Sequence, residues 1–186
     1  MLDIYLTIVL APLLGSVIVG LSGNRLGRKI SHSITILGVA ISTVLSIYVF
    51  NHHVLNDADI FNQNIYTWMQ IGGLNISVGF LVDNLTAVML VVVSFVSLMV
   101  HIYTIGYMHD DKGYTKFFSY ISLFTFAMFT LVISNNFMQL FFGWEAVGLV
   151  SYLLIGFWHH KESAIEANLK AFLVNRVGDF GFLLGI

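Results

Sequence analysis

Four charged residues fall inside long apolar stretches of this chain. Glu145 sits within Phe141-Phe-Gly-Trp-Glu145-Ala-Val-Gly148, Arg176 and Asp179 sit within Asn175-Arg176-Val-Gly-Asp179, and Lys170 precedes them in the same stretch. A charge at the centre of a spanning helix costs about 2.5–3.5 kcal/mol on insertion scales, so such residues face a partner or a wet cavity. Arg176 and Asp179 are three residues apart, share a helix face and can pair directly. That pair either neutralises itself and only packs two helices, or belongs to a path of charges. Glu145 has no cation within helical reach on its own stretch. It is therefore protonated, or its partner lies on another helix or another chain. Burial disfavours a charged carboxyl and a neighbouring cation restores it. A carboxyl balanced between the two is suited to carrying a proton, and the competing reading is a satisfied structural acid. Gly148 and Tyr152 follow Glu145 on or near its face, leaving room for water and a hydroxyl that could extend a hydrogen-bond chain. Lys170 either snorkels to the interface or joins the proton path.

The elements that must position these charges follow from composition. Of 186 residues, 58% are hydrophobic and only 10% charged, against about 25% charged in an ordinary soluble domain. This excludes a soluble enzyme, a disordered tail and a nucleic-acid binder, and a net charge of −2 offers no basic field for phosphate. There is no cysteine, so disulfides, thiolate metal sites and iron–sulfur ligation by this chain are excluded. A single Pro and 16 Gly suggest few breaks and some close helix packing. Six apolar runs can span a bilayer: 2–21, 30–50, 78–105, 117–134, 137–157 and 164–186. The first, with Asp3 and no basic start, is not a cleavable signal. The fold class predicted is all-α, a polytopic transmembrane bundle of about six helices.

Lys and Arg set the orientation. Arg25, Arg28 and Lys29 lie between runs one and two, Lys112 and Lys116 between three and four, and Lys161 between five and six, while the opposite loops, 51–77 and 134–136, have none. The positive-inside rule then places the N-terminus outside. The long outer loop ends in Ile65–Ile71, Gly72-Gly73 and Leu74–Val78, which reads as a short extracytoplasmic β-hairpin, with Asp57 and Asp59 solvating its first half. Asp83 reads as an acid at the start of run three, and Asp110 and Asp111 as a solvated turn. Ser163-Ala-Ile-Glu166 matches a capping box. His52, His53, His159 and His160 lie at run ends, and His101, nearer a helix interior, reads as hydrogen-bonded rather than a haem ligand. Trp68, Trp158 and Tyr107 fit an interfacial belt. Because a membrane chain rarely stops inside a helix, the sixth run ending at Ile186 is expected to belong to a fragment.

Three stretches carry a resemblance: Gly79–Asp110 (GFLVDNLTAVMLVVVSFVSLMVHIYTIGYMHD), Lys116–Trp158 with its core FFGWEAVGLVSYLLIGFW, and NRVGDFGFLLGI. They resemble the proton-antiporter-like membrane subunits of respiratory complex I, the last stretch resembling the chain 5 (subunit L) branch rather than chains 2 and 4. The resemblance implies residues 1–77 as an N-terminal helix pair plus outer loop and 78–186 as the incomplete start of an antiporter-like core. It implies a subunit of proton-translocating NADH:quinone oxidoreductase, with no catalysis by this chain alone and no cofactor bound by it; NADH, FMN, iron–sulfur clusters and quinone belong to other subunits. Glu145 of the Trp-Glu motif matches a proton-path residue, and Arg176 and Asp179 a charged pair near that path. The Glu's usual partner is a lysine beyond Ile186. The implied partners are other complex I membrane subunits, above all the sister antiporter-like chains, and the lipid bilayer. The location is a bacterial plasma membrane or an organellar inner membrane. The alternatives are the large subunit of a multi-subunit cation/proton antiporter, a cytochrome-like electron carrier, for which paired His ligands at matching depth are missing, and a non-functional truncated product.

Overall fold

The computed structural model describes residues 1–72 and 74–186. The first helical stretch, Leu2–Phe50, is interrupted at Gly27, whose φ of 77° and ψ of 170° suit a residue without a Cβ. It is therefore two spans folded back on each other, α1 (Leu2–Gly23) and α2 (Arg25–Leu55). The last turn of α2, Asn51–Leu55, widens to a π-helix. A hairpin of β1 (Phe61–Ile71) and β2 (Leu74–Val82) follows, then α3 (Asn84–Tyr107), α4 (Tyr114–Val132), α5 (Phe137–Ile155) and α6 (Glu162–Gly185). Among the described residues, α1 to α5 are each long and apolar enough to cross a membrane. The helix α6 forms where the sixth run was expected, but Lys170, Arg176 and Asp179 keep it from qualifying on composition.

Polar groups join the helices where lipid could not satisfy them. Pro12, inside α1, has no N–H to give the carbonyl of Ile8. Ser42 of α2 fills that place, its hydroxyl donating to the Ile8 carbonyl at 2.8 Å. Close approach of the two helices makes this reach available: a Cβ at Gly38 would lie 2.8 Å from the Ala11 carbonyl oxygen. On its other side α1 meets α4, where the Ser16 hydroxyl donates to the Ser119 carbonyl (2.8 Å) and the Ser119 hydroxyl to the Ser16 carbonyl (2.9 Å). Ser122 donates to the Pro12 carbonyl at 2.8 Å. The apolar side chains Leu14, Leu37, Val44 and Phe95 point outward, as a lipid-facing surface requires.

The hairpin is longer than the sequence suggests. Its antiparallel register runs from Phe61↔Val82 to Ile71↔Leu74, so residues 78–82 complete β2 instead of opening the third helix. Of the expected Gly72-Gly73 turn, Gly72 has φ +56° and Gly73 lies outside the described residues. The hairpin is bonded to the α4–α5 turn: Leu81 N–H donates to the Ile133 carbonyl (3.0 Å), Asn136 Nδ2 to the Ser77 carbonyl (2.8 Å) and Gly79 N–H to Gln139 Oε1 (2.9 Å). Asp83 caps α3, its Oδ1 accepting the Thr86 N–H at 2.7 Å. That bond holds its carboxyl below the usual carboxylate range.

At the opposite end the cation-bearing turns meet. Arg28 donates to the carbonyls of His109 and Asp111, and Lys161 Nζ lies 4.6 Å from the centre of the Trp158 ring. Asp110 is the solvated acid expected, but Asp111 is not. Its carboxylate accepts Trp158 Nε1–H at 2.9 Å and Gly113 N–H at 2.6 Å, and these bonds, the indole first, hold its carboxyl below the usual range. The capping box of Ser163 and Glu166 does not form either. The helix already begins at Glu162, with Lys161 at the N-cap and no side-chain capping bond.

Two outcomes are expected. Ser42→Ala leaves the Ile8 carbonyl bare and destabilises the fold by roughly 0.6–2 kcal/mol. Pro12→Ala restores an N–H, so the double variant recovers most of that loss in a detergent unfolding titration; strict additivity would contradict the pairing. Asp111 has a depressed folded pKa, so its contribution is complete above the unfolded value of about 4 and is lost as pH falls through the folded value. The difference in melting temperature between the parent chain and Asp111→Asn should be flat above about pH 5 and disappear in stronger acid.

Candidate functional site

The helices α5 and α6 lie antiparallel and meet through one face of each. On α6 the inward residues are Asn168, Phe172, Asn175, Arg176, Asp179 and Phe182, a helical spacing that repeats every three to four residues. Phe182 faces Phe141 with ring centroids 5.7 Å apart, and Phe172 faces Tyr152 at 5.3 Å. Between these aromatic contacts sit the charges.

Arg176 Nη1 donates to Glu145 Oε2, an ion pair from α6 to α5. This supplies the partner that Glu145 lacked on its own helix, from within the chain. Arg176 Nε also lies 3.4 Å from Asp179 Oδ2, the same-helix contact expected from their spacing. The ion-pair distance is met, but the N–H is not aimed at that oxygen, so neither atom has a hydrogen-bond partner among the described residues. The other oxygen of Asp179 is satisfied: Trp144 Nε1–H donates to Oδ1 at 2.8 Å. The carboxylate of Asp179 is 7% exposed, whereas Glu145 and Arg176 are partly open. The guanidinium also stacks on Phe172, 5.0 Å from the ring centre. One cation thus sits between two carboxylates, and a proton taken up by Glu145 would bring the formal charge of the group from −1 to zero.

Lys170 is exposed on α6, away from this cluster, and forms no ion pair among the described residues. Tyr152 packs on Phe172, and its hydroxyl forms no hydrogen bond to Glu145 or Arg176, so the expected hydroxyl extension is not made. Gly148 faces the cluster, where a Cβ would make only ordinary contacts, 3.8 Å from Asn175 Nδ2 and 3.9 Å from Arg176 Nη2. His101 is buried, its Nδ1 paired with the Ser97 carbonyl at 2.8 Å, and the Tyr5 hydroxyl meets His53 Nε2 at 2.8 Å. No group of three His, Cys, Asp or Glu among the described residues could hold a metal. Two participants went unnoticed in the sequence. Trp144 stands next to Glu145, and Phe172 stands four residues before Arg176, a spacing that brings ring and cation together on a helix.

Fold and site together define a multi-pass helical membrane protein with an ion-paired charge cluster between two helices. Residues 68–118 match the family model for the N-terminus of chain 5 of NADH-ubiquinone oxidoreductase (complex I), and residues 134–186 match the transmembrane model of NADH:quinone oxidoreductase/Mrp antiporter subunits. NADH-quinone oxidoreductase subunit L of Neisseria meningitidis serogroup B is 66% identical over 186 residues, all of this chain and 28% of the relative. NADH-ubiquinone oxidoreductase chain 5 of Dictyostelium discoideum is 44% identical over 182 residues, 98% of this chain and 27% of the relative. The chain therefore belongs to the chain 5/subunit L family of antiporter-like complex I membrane subunits, and spans under a third of the length of these curated relatives. A chain in the structure of the membrane-bound sulfane sulfur reductase, an archaeal respiratory membrane complex, shares the fold. Its TM-score is 0.81 at 15% identity, covering 98% of this chain and 36% of that one.

Asp179→Leu removes both the indole acceptor and one counter-ion of Arg176, and is expected to destabilise the α5–α6 pair by about 1–3 kcal/mol. Asp179→Asn keeps an acceptor for Trp144 and should be milder. Thermal unfolding in micelles measures both, and equal stability of the Leu variant and the parent would contradict the cluster.

Proposed function

We propose that this chain works in the membrane arm of a proton-pumping NADH:quinone oxidoreductase, and that Glu145 carries protons under the control of Arg176 and Asp179. The observation that carries the reading is the cross-helix ion pair of Glu145 and Arg176. A proton cannot be stabilised by hydrocarbon and needs titratable stops joined by water. Glu145 is such a stop: its counter-ion is shared with a second carboxylate, so it can be neutralised without stranding Arg176. Asp179, fixed by Trp144, remains as the permanent partner of the guanidinium. Lys170 takes part from its exposed face, through groups outside this cluster.

Electron transfer from NADH to quinone takes place in other subunits, which hold FMN, the iron–sulfur clusters and the quinone, and its energy reaches this chain as a shift in the electrostatics around Glu145. The sister antiporter-like chains are the expected neighbours. The cation-rich turns face the cytoplasm or matrix, and the N-terminus and hairpin face outward. The second model's shared description keeps one other reading in view, the large subunit of a cation/proton antiporter. The names of the relatives at 66% and 44% identity favour the respiratory one.

Glu145→Gln in the complete subunit keeps size but removes proton exchange. It should assemble on native gels, lose most proton uptake in reconstituted vesicles and lose much quinone reductase activity, whereas Glu145→Asp should retain a substantial part. Wild-type pumping by the assembled Gln variant would make Glu145 a structural residue.

A further inference from the structure

Besides an open cavity of about 890 Å³ among the turns at the cation-bearing end, a groove of about 490 Å³ runs along the outside of the bundle between α3 and α4. Leu154, in the last turn of α5, closes it toward the cation-bearing end. The groove follows α3 from Met89 to His101, a length of ~18 Å at ~1.5 Å per residue. Its walls are Val92, Val96 and Val100 of α3, all exposed, against Phe124 and Met128 of α4. The polar side chains on its floor are turned to one another. The Ser97 hydroxyl meets that of Thr125, His101 Nδ1 meets the Ser97 carbonyl, and His101 Nε2, without a partner among the described residues, is fully buried. The groove therefore offers an occupant apolar contact. Its volume over that length leaves a mean cross-section of about 27 Å². A helix with its side chains is ~10 Å across and needs about 80 Å², so the groove admits an alkyl chain and not another helix. Its length is close to the ~15 Å of hydrocarbon in one leaflet, half of a ~30 Å core.

The face of α3 that carries Val96 and Val100 continues, three and seven residues after Val100, with Tyr103 and Tyr107. The rings of Tyr103 and Tyr107 stack at 5.7 Å, Tyr107 meets Trp158 at 6.3 Å, and Lys161 Nζ lies 4.6 Å from the Trp158 ring centre. The indole is held in place by its bond to Asp111, whose carboxylate is thereby turned to Trp158 and Gly113. From mid-bilayer to the interface the surface thus presents an alkyl groove, then exposed aromatic rings, then an exposed ammonium. A phospholipid has the complementary order of acyl chain, glycerol esters and phosphate, with aromatic rings favoured at the ester level and basic side chains at the anionic one. We propose that α3, α4 and the turn after α5 form a binding site for one glycerophospholipid, its acyl chain in the α3–α4 groove and its phosphate at Lys161. The chain gains dispersion contacts with both helices along the groove, and the phosphate gains the ammonium that the Trp158 ring holds in position. The site stands apart from the ion pairs of Glu145, Arg176 and Asp179 and does not depend on the proton reading.

The test uses the complete subunit in its assembled complex, with Tyr103→benzoylphenylalanine placing a photo-crosslinker where the groove meets the aromatic rings. After bulk lipid has been exchanged for detergent, illumination should give an adduct whose mass is that of a glycerophospholipid. Lys161→Gln should lower its yield about fivefold, and Lys161→Arg should keep it. Val96→Trp, which fills the groove and leaves Lys161 in place, should also lower it. A detergent adduct, or no adduct, would show bulk lipid only and overturn the site. So would an adduct to a peptide of this subunit or of another, because the groove would then be covered by protein. A lipid yield unchanged by Lys161→Gln would overturn the phosphate position, and one unchanged by Val96→Trp would overturn the groove. Crosslinking needs no turnover, so these results stand or fall apart from the pumping assay of Glu145→Gln.

Discussion

Hydrocarbon offers no hydrogen-bond partner, and in this protein polar groups inside the bundle are met largely by other parts of the chain. That constraint explains contacts that look unrelated. Pro12 frees a carbonyl in α1 and Ser42 of α2 fills it. Ser16 and Ser119 exchange hydroxyl bonds with each other's carbonyls and fix α4 to α1. Arg176 of α6 reaches Glu145 of α5, and Trp144 reaches back to Asp179. The first two pairings make a rigid frame of α1, α2 and α4. The charged pairings have a different character, because one cation serves two acids.

The two ends of the bundle are built by different means. At one end the hairpin and the α4–α5 turn are sewn together by amides and main-chain bonds, from Leu81 to Ile133 and from Asn136 to Ser77. This holds the start of α5, and with it the depth of Glu145. At the other end Arg28, Asp111 and Trp158 join three turns through hydrogen bonds, from the guanidinium to the Asp111 carbonyl and from the indole to its carboxylate. The open cavity lies at this second end, next to the aromatic layer of Tyr152 and Phe172. Bonded support on one side and an open cavity on the other suit the proton exchange proposed for the charge cluster.

Much of this architecture could be read from residue order. Apolar runs of bilayer length located the helices, and the isolated charges within them marked Glu145, Arg176 and Asp179. What residue order could not give was pairing at a distance. Arg176 meets Glu145 31 positions away, and Trp158 turns Asp111 from a solvated acid into a fixed one 47 positions away. The segment 78–82 reads as the start of a helix because it is apolar and runs into one. It is a strand because β1 and the α4–α5 turn bond to it on either side. Ser163 and Glu166 carry the pattern of a capping box, but the turn after Trp158 starts the helix two residues too early for Ser163 to cap it.

On the proposed mechanism Glu145 exchanges a proton while Arg176 keeps Asp179 as its counter-ion. Infrared difference spectroscopy on the assembled complex, comparing resting and NADH-reduced states, observes this directly. A protonated-carboxyl band that appears on turnover, shifts with deuterium and is missing in Glu145→Gln is the expected result. The same difference spectrum in the parent and in Glu145→Gln would show that this carboxyl keeps one protonation state, and would contradict the mechanism.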